Sequence, residues 1–569
     1  MENLTKSQKA RNAVRAIKII IDALTLRGYY KPLGDSGRTL TQALRMLSPE
    51  IYGSMTDPRI IELKGLEYVL DRLPMGVEVC NRIILTAQEE FVDTSFELIV
   101  PPKRRRACYR IGDKEMCFVI TRGYSEIYDL LTHITFLNNE AEKIFRQMHD
   151  RNGEVTLEWK RLEATVAENR DLSTAELDKA LWNLSILLGR TMHETRETHE
   201  YLERYATADR KLVFFNIVLS LGRRVAEEQS SREEELLVTF TPSLQEILGN
   251  QIYSRKWAGD IKRRLIELGF ETRPLHIISA NLHSIRNLIY GYAALCGAGP
   301  DRQCMNVFEH IAASRDDNPR IREFALSRGF YELPDQSGTH IDCQIIDTAG
   351  IGDLTFHPDL RFNTQWPEGR APVIFVMDYA FGIQAFETMD ELLEPYQERD
   401  REVRFDIRSI SVMGKAGTLN GKKGDIMLAT AHVMEGTSGN YIFENDLTRE
   451  DFTTDIPVYV GPMVTVVGTS LQNRDLLQRF RSSSWKAVGL EMEGSHYQKA
   501  IGSAMIREHI PRTVKVRYAY YASDNPLESG QTLASGSMGK EGIKPTYLIT
   551  QIILEKILNP APPRRHHPA

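Results

Sequence analysis

The chain has 569 residues, 42% hydrophobic and 26% charged, with a formal net charge of -6. This length holds two sizeable cores rather than one, and the charge balance excludes the broad basic footprint of a nucleic-acid binder. The six cysteines, Cys80, Cys108, Cys117, Cys296, Cys304 and Cys343, form no CxxC pair. A reduced setting is expected, with no disulfide framework, no metal and no cofactor.

The opening MENLTKSQKARNAVRAIKIIIDAL carries charges throughout and no small-residue cleavage site. The most apolar stretch, Leu212 to Leu221, is about half the length a bilayer span needs. A cytoplasmic protein with no membrane and no nucleic-acid partner is the expectation. Residues 1–270 read as a mainly helical domain of undetermined role, with a subdomain break near 150. Segments such as AVRAIKIIIDALTLRGYY and KGLEYVLDRLPMGVEVCNRIILTAQEEF place apolar residues at three- and four-residue spacing. One interruption, FELIVPPKRRRACYRIGDKEMCFVITRGY, alternates at Cys117, Val119 and Thr121 and reads as short strands around a basic turn. Its run Lys103–Arg106 could grip phosphates, but four adjacent cations on a turn are expected in solvent. His193 and His199 stand six residues apart, unlike the i, i+4 pair of a zinc helix, and both are expected at solvated helix positions.

From Pro274 the texture changes. Short β-rich runs (PLHIIS, IDCQIID, PVIFVMD, IRSISVMG, GDIMLATAHV, PVYVGPMVTVVG, AVGLEM, VKVRYAYYA) alternate with helical segments such as NLHSIRNLIYGYAAL and EGSHYQKAIGSAMIREH. Such alternation over 271–557 predicts a three-layer α/β domain around a central mixed sheet. The Pro-rich tail, 558–569, is expected to be disordered.

Three motifs in this half could carry chemistry. Gly414-Lys415-Ala416-Gly417-Thr418 follows the strand Ile410–Met413 and reads as a turn whose N–H groups could hold an anion or a sugar oxygen. Glu491-Met492-Glu493-Gly494 places two carboxylates at i and i+2, pointing to opposite sides, so one can reach a cleft while the other anchors the scaffold. Alone it also fits a helix N-terminus stabilised by the macrodipole. Ser523-Asp524-Asn525-Pro526 ends a long β-rich run, where open α/β sheets place their ligands; a desolvated Asp524 could act as a general acid.

In this order the motifs resemble those of the nucleoside phosphorylase and nucleosidase superfamily. The methylthioadenosine/S-adenosylhomocysteine and AMP nucleosidases are the most similar members, over about residues 270–557. The resemblance implies cleavage of the N-glycosidic bond of a purine nucleoside or nucleotide through an oxocarbenium-like ribosyl state. Asp524 would protonate the departing purine and Glu493 would hold ribose hydroxyls, with Met492 beneath the sugar. Gly414, Lys415, Ala416 and Gly417 would line the gap between sugar and nucleophile, and Glu491 and Ser523 would complete the substrate site. A homo-oligomer is implied in the same way.

Departures from the pattern bear on the acceptor. No arginine precedes the glycine motif, since Ile410-Ser411-Val412-Met413 carries no cation, which favours water over phosphate. Lys415 replaces the usual serine or histidine and could bind a 5′-phosphate or inorganic phosphate. Where relatives carry a water-activating glutamate, LHIISANLHSIRNLI offers Asn281 and His283. Val467–Asn473 offers amides where relatives stack an aromatic ring. Phe381 is expected in the core, and His432 and His496 in structural roles. The alternatives to a nucleosidase are a phosphate-dependent phosphorylase and a non-catalytic nucleotide sensor using the same pocket.

Overall fold

The computed structural model describes residues 4–88, 93–104, 106–208, 210–295, 305–398, 401–528 and 538–559. Cys296, Cys304, Arg105 and all but the first two residues of the 558–569 tail lie outside them. The chain divides into two compact units, Met1–Asn250 with Ser470–Leu476, and Gln251–Thr469 with Leu477–Ala569.

The first unit is not helical throughout. Strands β1 (Tyr29–Tyr30), β2 (Arg82–Thr86), β3 (Glu97–Ile99), β4 (Cys108–Gly112), β5 (Glu115–Val119) and β6 (Leu237–Phe240) form one sheet in the order β1-β6-β2-β5-β4-β3. β2 arises inside a stretch that reads as one helix. Pro74 and Gly76 follow the helix Leu63–Leu70, and beyond them the RIILT run pairs in parallel with both β5 and β6. The helices carry their own start signals: Thr5 caps Lys6–Arg27 in a capping box with Gln8, and Gly28 ends it at φ 84°. Gly222 lets the helix Val213–Ser230 approach Trp159, whose ring would stand 2.4 Å from a Cβ placed there.

The basic turn is only partly solvated: Lys103 stays exposed, but Arg104 is half-buried and Arg106 buried. Lys103 pairs with Asp71 at 2.5 Å, Arg104 with Asp129 at 3.2 Å and Arg106 with Glu126 at 2.6 Å. Asp129 and Glu126 are buried on the helix Gly123–Met148, and buried carboxylates require counter-charges. His199 likewise departs from expectation: it is buried edge-on against Phe215, while His193 stays exposed beside Glu197.

The second unit is built on a ten-stranded mixed sheet. It comprises β7 (Pro274–Ser279), β8 (Phe330–Leu333), β9 (Cys343–Asp347), β10 (Val373–Met377), β13 (Asp406–Thr418), β14 (Ile426–Met434), β15 (Asn440–Ile442), β16 (Val458–Thr465), β17 (Gly489–Glu491) and β18 (Lys515–Asp524). A small hairpin, β11 (Tyr396–Glu398) with β12 (Arg401–Val403), stands apart from it. β7 pairs in parallel with β10 and β13. β13, β18, β14, β16 and β17 then close a circuit of pairings, β18 lying parallel to β13 and antiparallel to β14.

Period-two alternation sends neighbouring residues to opposite faces. In β10, Val373, Phe375 and Met377 enter one core while Ile374 and Val376 enter the other. Trp257 and Ile261 of helix Ile252–Glu267 and Tyr497 and Ile501 of helix Gly494–Ile506 cover the first face. Ile285 and Ile289 of helix Leu282–Leu295 and Ile549 and Ile553 of helix Ile543–Leu558 cover the second. The arrangement is helix, sheet, helix.

Candidate active site

The carboxyl ends of β7, β10, β13, β17 and β18 converge on one cavity of about 830 Å³, bordered by Ser279, Tyr379, Lys415, Glu491 and Ser523 among others. Convergence at strand ends is where open α/β sheets leave room for a ligand.

Glu493, just beyond β17, lies on the cavity wall. Its carboxylate accepts the N–H of Gly382 at 3.0 Å and that of Met492 at 3.2 Å. Burial, with the neighbouring Glu491 adding to it, pushes its carboxyl up to about 8. Glu491 turns back into the scaffold. It accepts Thr465 Oγ1 at 2.6 Å, the N–H of Glu493 at 2.6 Å and the N–H of Gly494. Burial alone would raise Glu491, but the adjacent His432 (Nδ1 3.4 Å away) and these donors hold it below the ordinary range. Gly494 is required by the same contact, because a Cβ there would stand 2.2 Å from the His432 ring. His432 itself is buried, stacked on Phe443.

Gly414–Thr418 is not a turn. It continues β13, because both of its edges are paired. Gly414 to Ala416 align with Tyr520 to Ala522 of β18, and Gly417 and Thr418 align with Leu490 and Gly489 of β17. The register shifts between Ala416 and Gly417, and the chain reverses only afterwards, where Asp425 accepts the Lys422 N–H at 2.9 Å. Gly414, Lys415, Ala416 and Met492 border the cavity; Gly417 does not.

Ser523 borders the cavity as well, but Asp524 does not. Asp524 Oδ1 accepts the Ser523 hydroxyl at 2.5 Å, and its buried Oδ2 makes no hydrogen bond among the described residues. Burial raises this carboxyl above its ordinary range, opposed in part by the Ser523 bond and the Lys415 charge.

Asn281 and His283 both border the cavity, and so does Phe381, which is not a core residue. Of the amide-rich stretch after β16, Thr469 borders the cavity, whereas Asn473 belongs to the first unit and donates to the Leu47 carbonyl at 2.9 Å. Arg286, Asn287, Arg315 and Asn318, which belong to none of the three motifs, also border the cavity. The signal for the first two was an adjacent Arg-Asn pair in the mostly apolar helix Leu282–Leu295; Arg315 and Asn318 carried none. Among the described residues no cluster of three or more His, Cys, Asp or Glu could hold a metal ion. No helix there is long and apolar enough to cross a membrane.

Residues 38–296 and 305–559 match the model of a family of unknown function, DUF6909. The chain belongs to that family. No curated protein matches this DUF6909 chain in sequence. Similar solved structures include a futalosine hydrolase mutant of Helicobacter pylori strain 26695, 11% identical, covering 50% of this chain and 98% of that one at a TM-score of 0.29. A uridine phosphorylase from Schistosoma mansoni in complex with thymine is 12% identical, covering 54% and 91% at 0.30. A Helicobacter pylori MTAN mutant with 5′-methylthioadenosine in its active site is 12% identical, covering 50% and 97% at 0.29.

Proposed function

We propose that the cavity binds a purine nucleoside or nucleotide and that the chain hydrolyses its N-glycosidic bond. The observation that carries this reading is the division of labour between the two carboxylates of the EMEG motif. Glu491 is committed to the main chain of its own turn, and Glu493 is left on the cavity wall, oriented by two backbone N–H groups. A carboxyl fixed in this way suits paired hydroxyls of a ribose, and positive charge developing on the sugar would favour its ionised form, which in turn steadies the sugar. Asp524 is the proposed general acid. Burial shifts it toward the protonated form, and its Oδ2, without a hydrogen-bond partner among the described residues, is available to carry the proton. Delivery to a base in the cavity requires the side chain to swing away from Ser523 once the ligand is bound.

Arg286, Arg315 and Lys415 on the cavity favour a second reading, a phosphorylase using inorganic phosphate in place of water. Incubating the purified chain with AMP, adenosine, inosine, guanosine and methylthioadenosine, with and without phosphate, separates the two. Free base without phosphate supports the hydrolase, base only with phosphate the phosphorylase, and binding without release a nucleotide sensor. Asp524→Asn is expected to lower kcat by 10²- to 10⁴-fold, the usual size of a general-acid contribution. Glu493→Ala is expected to lower kcat/KM by a similar factor. Unchanged kinetics in either variant would remove the role assigned to that residue.

A further inference from the structure

One stretch of the cavity wall is fastened at both ends. At one end, β16 finishes at Thr465, whose hydroxyl donates to Glu491 Oε1 at 2.6 Å, and the Val466 N–H donates to the Glu491 carbonyl at 2.8 Å. At the other, Ser470 is buried and begins the segment that belongs to the first unit. Residues 467–469 run between these points, and Thr469 borders the cavity. A short span with both ends fixed has few conformations open to it, so the hold on residues 470–473 governs where Thr469 stands.

That hold centres on one buried amide. The helix Asp35–Leu47 ends in Ser48, left-handed at φ 49°, with Pro49 after it. The last carbonyls of a helix have no partner within it. Asn473 Nδ2 donates to the Leu47 carbonyl at 2.9 Å and to the Ser48 carbonyl at 3.3 Å. The other end of the same side chain, Oδ1, accepts the Leu476 N–H at 2.9 Å, as a cap does at the start of the helix Arg474–Ser482. Two bonds flank it: the Glu50 N–H donates to the Gln472 carbonyl at 2.9 Å, and the Arg474 N–H donates to Glu50 Oε1 at 3.2 Å. Asn473 is 8% exposed, so water is a poor substitute for the amide.

We infer that Asn473 is a positioning residue for the cavity, holding the Thr469 stretch of its wall by clasping residues 470–473 to the end of the helix Asp35–Leu47. Asn473 does not itself border the cavity and acts through Thr469. A wall ordered before the ligand arrives spares the ligand the cost of ordering it, so loosening the clasp weakens binding. The inference rests on the nucleoside reading for the choice of ligand, but not for the clasp itself.

Hydrogen exchange and calorimetry on the intact chain test it. Asn473→Ser and Asn473→Asp keep an acceptor for the Leu476 N–H and lose the donor to the two carbonyls. In the unliganded protein, both are expected to exchange the amides of 466–469 about tenfold faster than wild type. Adenosine should bind them about fivefold more weakly. Tyr30→Phe, which removes a buried bond to Thr135 within the first unit, should leave both readouts at the wild-type level. Unchanged exchange in the folded Asn473 variants overturns the role, as does faster exchange with unaltered adenosine affinity or an effect that Tyr30→Phe reproduces. If neither Asn473 variant folds, the exposed Glu50→Ala, which removes the acceptor of the Arg474 N–H, decides by the same criteria. A wild-type chain that binds no adenosine discards the nucleoside reading, and exchange at 466–469 then decides the clasp alone.

Discussion

At Glu493 the fold holds a carboxyl whose proton is retained to about pH 8, against about 4.3 for a glutamate in an unfolded chain. The sign of the consequence follows from proton uptake. Between those values the folded state binds more protons than the unfolded state, so this group's contribution to stability falls as pH rises from about 4 through 8. Glu493→Gln, which mimics the protonated form, is expected to gain stability relative to wild type at pH 8 and to match it near pH 5. Thermal midpoints measured across that range check this, and parallel curves for the two proteins would refute it. Asp524, raised by burial, adds a loss of the same sign. The paired Glu491, held low by His432 and its hydrogen-bond donors, contributes in the opposite direction and loses its contribution only in acid.

Among the elements, legibility followed locality. β10 was readable because Pro372 and Asp378 bracket five apolar residues, too short a run for a helix and apolar enough for two covered faces. β2 was not, because RIILT presents the same apolar residues a helix would and only its parallel partners, β5 and β6, fix it as a strand. Motif order pointed to Glu491–Glu493 and Ser523, which border the cavity, and to Asp524, which does not, whereas Arg286 lies in none of the motifs and Asn318, which orients it, is 32 positions downstream. The same holds for the basic turn. Arg106 reads as one cation among four, whereas its partners Glu126 and Asp129 sit on a helix that begins only at Gly123. Arg106→Gln leaves those two carboxylates buried without their fork, and breaking a buried pair from one side costs about 3–5 kcal/mol. Urea unfolding is the measurement, and a loss below about 1 kcal/mol would mean that the turn is solvated in solution after all.

At the scale of the whole chain, connectivity makes a claim that neither unit makes alone. Residues 470–476 leave the second unit, join the first, and the chain returns to the second at Leu477. The excursion is firmly held. Leu471 and Leu476 are buried, the Glu50 N–H donates to the Gln472 carbonyl at 2.9 Å, and Asn473 donates to the Leu47 carbonyl. When the second unit unfolds, the first keeps this segment only by closing residues 251–469 into a loop, an added entropic cost. The stabilities of the two are therefore linked through covalent structure. Calorimetry of the intact chain is expected to show a single cooperative transition, although chains of this size commonly melt domain by domain. Leu471→Ala, which empties a buried site at a cost of about 2–5 kcal/mol, combined with Asn473→Ala, weakens the first unit's hold on the segment. The double variant should then melt in two steps, the first unit at the lower temperature. A wild-type chain that already melts in two well-separated steps would show that a seven-residue excursion of the chain is too short to couple units of this size.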